Sequence, residues 1–187
     1  MRGEGNLIVH GDVKSSGSFR LAGNLYGDGD LKSSGSTSVE GEILMKGQLH
    51  VSGSLRTGNK IEAHDGIRVS GSARIQGDVL TLEIIEISGS SIINGNVTGT
   101  DVILGREKIR SSSIYKHPNK VTGTILARNN IKLIRALVNG DVKGRDVIIG
   151  KGTEILGTVY YVDTIEVHDK ATLANEPVKI SEEDLHL

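Results

Sequence analysis

Short apolar–polar–apolar triplets recur along the chain. They run through Leu7-x-Val9, Val13, Phe19-x-Leu21, Leu25, Leu31, Thr37-x-Val39, Ile43-x-Met45, Leu49-x-Val51, Leu55, Ile61, Ile67-x-Val69 and Ala73-x-Ile75. The series continues at Val79, Ile85-x-Ile87, Ser91-x-Ile93, Val97 and Ile103. Alternation over three residues followed by a break predicts a very short strand, two side chains inward and one outward. Glycine fills the breaks at positions 5, 11, 17, 23, 29, 35, 41, 47 and 53, a spacing of six. Asn59 and Asp65 hold the register before Gly71, Gly77, Gly89 and Gly95, with Glu83 as the exception. Glycine weakens a strand interior, so this regularity points to a backbone requirement at tight corners.

A longer period lies above the hexad. Ser-Gly-Ser begins at Ser16, Ser34, Ser52, Ser70 and Ser88, each step being 18 residues. Three strands and three corners per 18 residues make a triangular coil, and coils stacked about 4.8 Å apart in parallel make a three-sided β-helix. A single coil cannot bury its own apolar side chains, so the array is cooperative. The register breaks after Ile103, and residues 105–122, with Pro118 and a polar run, read as a loop or insertion. Coils then resume less regularly, with predicted columns Ile125/Val142/Val159, Leu137/Ile155/Leu173 and Ile131/Ile148/Ile165. The last predicted strand is Val178–Ile180, which leaves an acidic tail at 181–187. The whole chain, 1–187, reads as one domain, with regular coils over 5–104 and less regular ones over 123–180. At 18 residues per coil it holds at most about ten coils, a rod roughly 45 Å long.

Sorting the outward residues separates three faces. One shows Ile8, Tyr26, Leu44, Glu62 and Leu80; another Lys14, Lys32, His50, Arg68 and Glu86; the last Arg20, Ser38, Arg56, Arg74 and Ile92. Ile8, Tyr26, Leu44 and Leu80 form an apolar stripe, a predicted lateral contact between rods or with a membrane. Acidic residues fall in the corners, at Asp12, Asp30, Glu40, Glu42 and Asp78.

Composition agrees with a thin aliphatic core. Gly is 25 of 187 residues and aromatics only 3%, with no Trp and no Cys. The absence of Cys removes disulfides, thiolate metal sites and thiol nucleophiles. Net charge is -1, which argues against a general polycation. Residues 102–135 carry eight Lys/Arg and one acid, whereas 152–187 carry two basic and eight acidic groups. The basic 102–135 stretch therefore predicts contact with an anionic surface or an acidic partner. Only Tyr115 stands there for base stacking, so no specific nucleic acid is expected. No apolar run reaches the ~18 residues of a membrane span, and a cytoplasmic protein is expected.

Catalytic signatures are missing: no Gly-x-Ser-x-Gly, His-Glu-x-x-His, Walker A or Gly-x-Gly-x-x-Gly is present. His10 and His64 share a predicted corner column three coils apart, too far to bind one metal. His50 falls in mid-face, His117 in the insertion and His168 in a late turn. Neither a catalytic residue nor a metal or cofactor is expected. Five equivalent Ser-Gly-Ser copies argue against a unique nucleophile and for hydroxyls that satisfy corner backbone.

The strings Val138-Asn-Gly-Asp-Val-Lys-Gly-Arg-Asp-Val-Ile-Ile-Gly150 and Val39-Glu-Gly-Glu-Ile43, with Val159-Tyr-Tyr-Val-Asp-Thr-Ile-Glu-Val167, resemble those of bactofilins, polymer-forming cytoskeletal proteins. The resemblance covers most of 5–180. It implies a right-handed triangular β-helix that assembles end to end into filaments without nucleotide and acts as a scaffold, with peripheral placement at the inner membrane face as a further expectation. The periodicity itself admits either hand. The only Phe is Phe19, so the Phe that family members often carry near a C-terminal polymer contact has no counterpart here. The end contact follows instead from solenoid physics, because uncapped end coils expose core side chains. The predicted polymer interface is Leu7, Val9, Val13, Phe19 and Leu21 at one end and Leu173, Val178 and Ile180 at the other. The alternative is a trimeric enzyme like the hexapeptide-repeat acyltransferases, with a His in a subunit groove.

Overall fold

A computed structural model describes residues 2–106 and 119–185. It is an all-β solenoid of parallel strands with about nine turns. The first face is a ten-stranded sheet running from Arg2–Glu4 through Phe19–Ala22 and Ser36–Val39 to Thr172–Leu173. The second face begins at Leu7–Val9 and ends at Val178–Lys179; the third begins at Val13–Ser15. These two faces count as one 17-stranded sheet because Val142–Ile149 and Val159–Val167 bend round the corner between them unbroken. Nine intervals at about 4.8 Å make a rod of roughly 43 Å.

Stacking places like on like. The second face buries the column Leu25, Ile43, Ile61, Val79, Val97, Ile125, Val142 and Val159. The third buries Leu31, Leu49, Ile67, Ile85, Val102, Ile131 and Val147. Each of these side chains is 0% exposed. The first face is less apolar inside: Phe19, Thr37, Leu55, Ala73, Ser91, Asn119 and Ala136. There the buried Ser91 hydroxyl donates to Asn119 Oδ1 at 2.9 Å.

Two details correct the sequence reading. The coil resumes at Asn119–Val121, inside the predicted 105–122 insertion, and this strand pairs with Ser91–Ile93 and with Ala136–Val138. The rest of that insertion, 107–118, including Tyr115 and His117, lies outside the described residues, as does Leu187. Leu137 and Ile148 also sit one place from the inward column. Val138 pairs with Ile155, and Ile131 with Val147, while Ile148 is 37% exposed beside Lys132 and Glu166. A turn of 17 residues drops one position, and a period-two strand then reverses which neighbour points inward. A register shift between Gly144 and Asp146 adds to the slip.

The corner glycines are explained mainly by close approach. Left-handed φ is confined to six glycines and Arg135 among the described residues, and Gly71 is not one of them. A Cβ on Gly71 would instead press into the Gly53 carbonyl of the preceding turn. Where the left-handed region is needed near Asp65, Gly66 takes it, at φ 114°.

Side-chain oxygens bind the other corners together. In the corner after the first face, the Asn24 N–H donates to Asn6 Oδ1 at 3.1 Å, Glu42 N–H to Asn24 Oδ1 at 3.0 Å and Asn96 N–H to Asp78 Oδ1 at 2.7 Å. In the next corner Asp30 N–H donates to Asp12 Oδ1 at 3.1 Å and Gln48 N–H to Asp30 Oδ1 at 2.9 Å. The Lys32 ammonium, and then the Gln48 N–H, hold the Asp30 carboxyl below its ordinary range. The Asp30 N–H does the same for Asp12, with Lys14 second; Lys46, then His10, do so for Asp28. A depressed folded pKa contributes stability above the unfolded value of about 3.9 and loses it as pH falls through the folded value. Asp30→Asn keeps an acceptor for the Gln48 N–H and loses Lys32. Its urea midpoint should therefore fall less between about pH 5 and pH 2 than that of the wild type.

Candidate functional site

The ladders stop at both ends with one side unpaired. At the N-terminal end Arg2–Glu4, Leu7–Val9 and Val13–Ser15 pair only with the next turn, and no described strand lies beyond them. Their inward side chains Leu7, Val9 and Val13 are half-buried, whereas Leu25 and Leu31 one turn in are 0% exposed. Phe19 and Leu21, expected at this end, lie one turn inside it at 4% and 3% exposure. The strand Arg2–Glu4 adds a rung over them and sets Gly3 on Leu21. Its sequence, Arg-Gly-Glu, carries no apolar alternation, which is why the coil seemed to start at Gly5.

At the other end Thr172–Leu173 pairs only with Glu154–Ile155, and Val178–Lys179 only with Tyr160 and Tyr161. The Ile180 N–H extends that ladder to the Tyr161 carbonyl at 2.9 Å. Leu173 and Ile180 are half-buried, Val178 is 43% exposed and Val167, which the interface expectation omitted, is 45% exposed. The tail then forms a 3-10 turn, Glu182–Asp184, with no buried residue. Glu182 is tied to Arg145, which also pairs with Asp163 at 2.9 Å. The turn is thus anchored at the corner between the second and third faces. Each end combines unpaired strand edges with partly exposed aliphatic side chains, a template for further strands.

The predicted lateral stripe is one column: Ile8, Tyr26, Leu44, Glu62 and Leu80 follow in register. Ile8 is 67% and Leu80 38% exposed, while Tyr26 and Leu44 are half-buried. The Tyr26 hydroxyl donates to Glu42 at 2.9 Å, and this bond pushes its pKa up. Leu82, 63% exposed, extends the patch from a corner; its position off the triplet pattern hid it in the sequence.

The histidines are engaged locally. His10 Nδ1 lies 2.8 Å from Asp28, which also holds Lys46 at 2.7 Å. His50 meets Ser52 at 3.3 Å, His64 lies 3.9 Å from Glu62, and His168 is 2.5 Å from Asp169. Among the described residues, no three His, Asp or Glu side chains are gathered as a metal site requires. The largest concavity, about 700 Å³, lies beside the corner between the third and first faces, where Arg106, Lys132, Lys151, Glu166 and His168 line it. No helix among the described residues is long and apolar enough to cross a membrane. Comparison of the chain with family models, with curated proteins and with solved structures returned no match.

Proposed function

We propose that this chain is a non-enzymatic structural subunit, bactofilin-like, that assembles end to end into nucleotide-independent filaments and serves as a scaffold. One observation carries the reading: the β-ladders run to both ends of the rod and stop there with an unpaired edge and partly exposed aliphatics. A second copy set on either end continues three ladders at once and buries Leu7, Val9 and Val13, or Leu173, Val178 and Ile180. Interior turns are held by the same contacts, so each added subunit repeats the bonding of the fold. No bound nucleotide is required, because the driving force is strand pairing and apolar burial.

Electron microscopy of the purified, nucleotide-free protein tests this directly. Filaments with an axial repeat related to a subunit length of about 43 Å are expected; globular monomers at high concentration would overturn the reading. The apolar column on the second face supplies lateral contact between filaments. Leu44→Lys with Leu80→Lys should leave single filaments intact and abolish their bundles, seen on the same grids, and persistent bundling would remove this role.

A further inference from the structure

Cations on most of the rod are neutralised in place. Lys14 pairs with Asp12 at 3.1 Å, Lys32 with Asp30 at 2.8 Å, Lys46 with Asp28 at 2.7 Å, Lys60 with Glu62 at 3.5 Å and Arg68 with Glu86 at 3.6 Å. The first face is different. Its outward row reads Arg2, Arg20, Ser38, Arg56, Arg74, Ile92 and Lys120 in register. The five cations of this row are exposed and have no ion partner among the described residues. The row carries no carboxylate until Glu154. Its margin toward the third face is made of the neutral Ser-Gly-Ser corners and then Arg106, bonded to Ser88 at 2.7 Å. Glu40 lies at the opposite margin, in the corner that leads to the second face.

We infer that the first face is a docking surface for an anionic lipid bilayer. The cations lie along one side of a straight sheet, so a plane can meet all of them together. Their spacing is uneven, because Ser38 and Ile92 interrupt the row. A polyanion of fixed charge repeat would leave some cations unmatched, whereas mobile lipid head groups gather wherever a cation stands. The row offers no aromatic side chain for base stacking, the usual partner of basic residues on single strands. Half-buried Ile92, set between Arg74 and Lys120, suits the boundary between head groups and acyl chains. Each cation near such a surface strengthens binding about fivefold, and salt screens the attraction. The surface acts in the single subunit and does not rest on polymerisation.

Flotation with phosphatidylcholine vesicles containing about 30% phosphatidylglycerol, and with pure phosphatidylcholine vesicles, tests the inference. The protein should float with the anionic vesicles only, and should be released at about 0.5 M salt. Arg56→Ser with Arg74→Ser should weaken binding about 25-fold. Lys14→Ser with Lys32→Ser, the same charge change on the third face, should alter it less than about threefold, with circular dichroism confirming that both variants fold. Failure to float with anionic vesicles would overturn the inference. So would equal loss in the two double variants, which would mark a net-charge effect, or displacement by duplex DNA at stoichiometric amounts, which would assign the row to nucleic acid.

Discussion

Val178→Asp should leave the solenoid folded and stop filament growth. Val178 sits on the last rung of the second face, 43% exposed and paired on one side only. In the isolated subunit an Asp there keeps its water, and the thermal midpoint should stay within about 3 °C of the wild type. Against a second copy it would have to enter a dry apolar stack without a partner, at a cost of several kcal/mol, enough to abolish association at micromolar concentration. Sedimentation then reads how the ends meet. Monomers follow if each contact joins an N-terminal to a C-terminal end, and dimers if like joins like, since the N-terminal pair survives. Filaments that persist with Asp at this position would remove the C-terminal rung from the contact.

Gly71→Ala should be the most damaging single-methyl change in the regular half of the rod. In the corner between the third and first faces Gly53, Gly71 and Gly89 lie one above another, and a Cβ on Gly71 would collide with the carbonyl oxygen of Gly53. It would also stand 2.7 Å from that carbonyl carbon and 3.1 Å from the Ser52 oxygen. These atoms are backbone held by ladders on both sides, so no flexible side chain can give way. Overpacking of this kind costs about 1–3 kcal/mol, measurable as a lowered urea midpoint at unchanged slope. Gly17→Ala is the control, because nothing lies within 4 Å of a Cβ there and the backbone is not left-handed. A loss at Gly17 equal to that at Gly71 would show that steric stacking is not the reason for the glycines.

Much of this architecture was legible because the repeat is strict. Where turns are 18 residues long, the triplet pattern placed Leu25, Ile43 and Ile61 in one inward column and Tyr26 and Leu44 in the outward one beside it. It failed where a turn shortens: Leu137 and Ile148 were placed inward because apolar identity alone does not register a lost residue. Arg2–Glu4 escaped because its strand is made by pairing with Phe19–Ala22 and not by its own composition. The interface expectation therefore reached one turn too deep. The solitary state of Arg56 and Arg74 was also invisible, since it depends on which corner carboxylates lie close enough to pair. Lys32 has Asp30 two positions away at the adjoining corner, whereas the first-face strands that hold these arginines start with Ser54 and Ser72.

The vacant space over Gly17 makes that position a gauge of the joint between molecules. Inside the rod every equivalent glycine lies beneath a carbonyl of the turn before it, and Gly17 alone in that column has open space there. If a neighbouring molecule prolongs the winding in the same phase, it must bring a carbonyl to that spot. A methyl group harmless to the solitary subunit would then act as a wedge at the seam, lowering the polymer's melting point while leaving that of the free chain untouched.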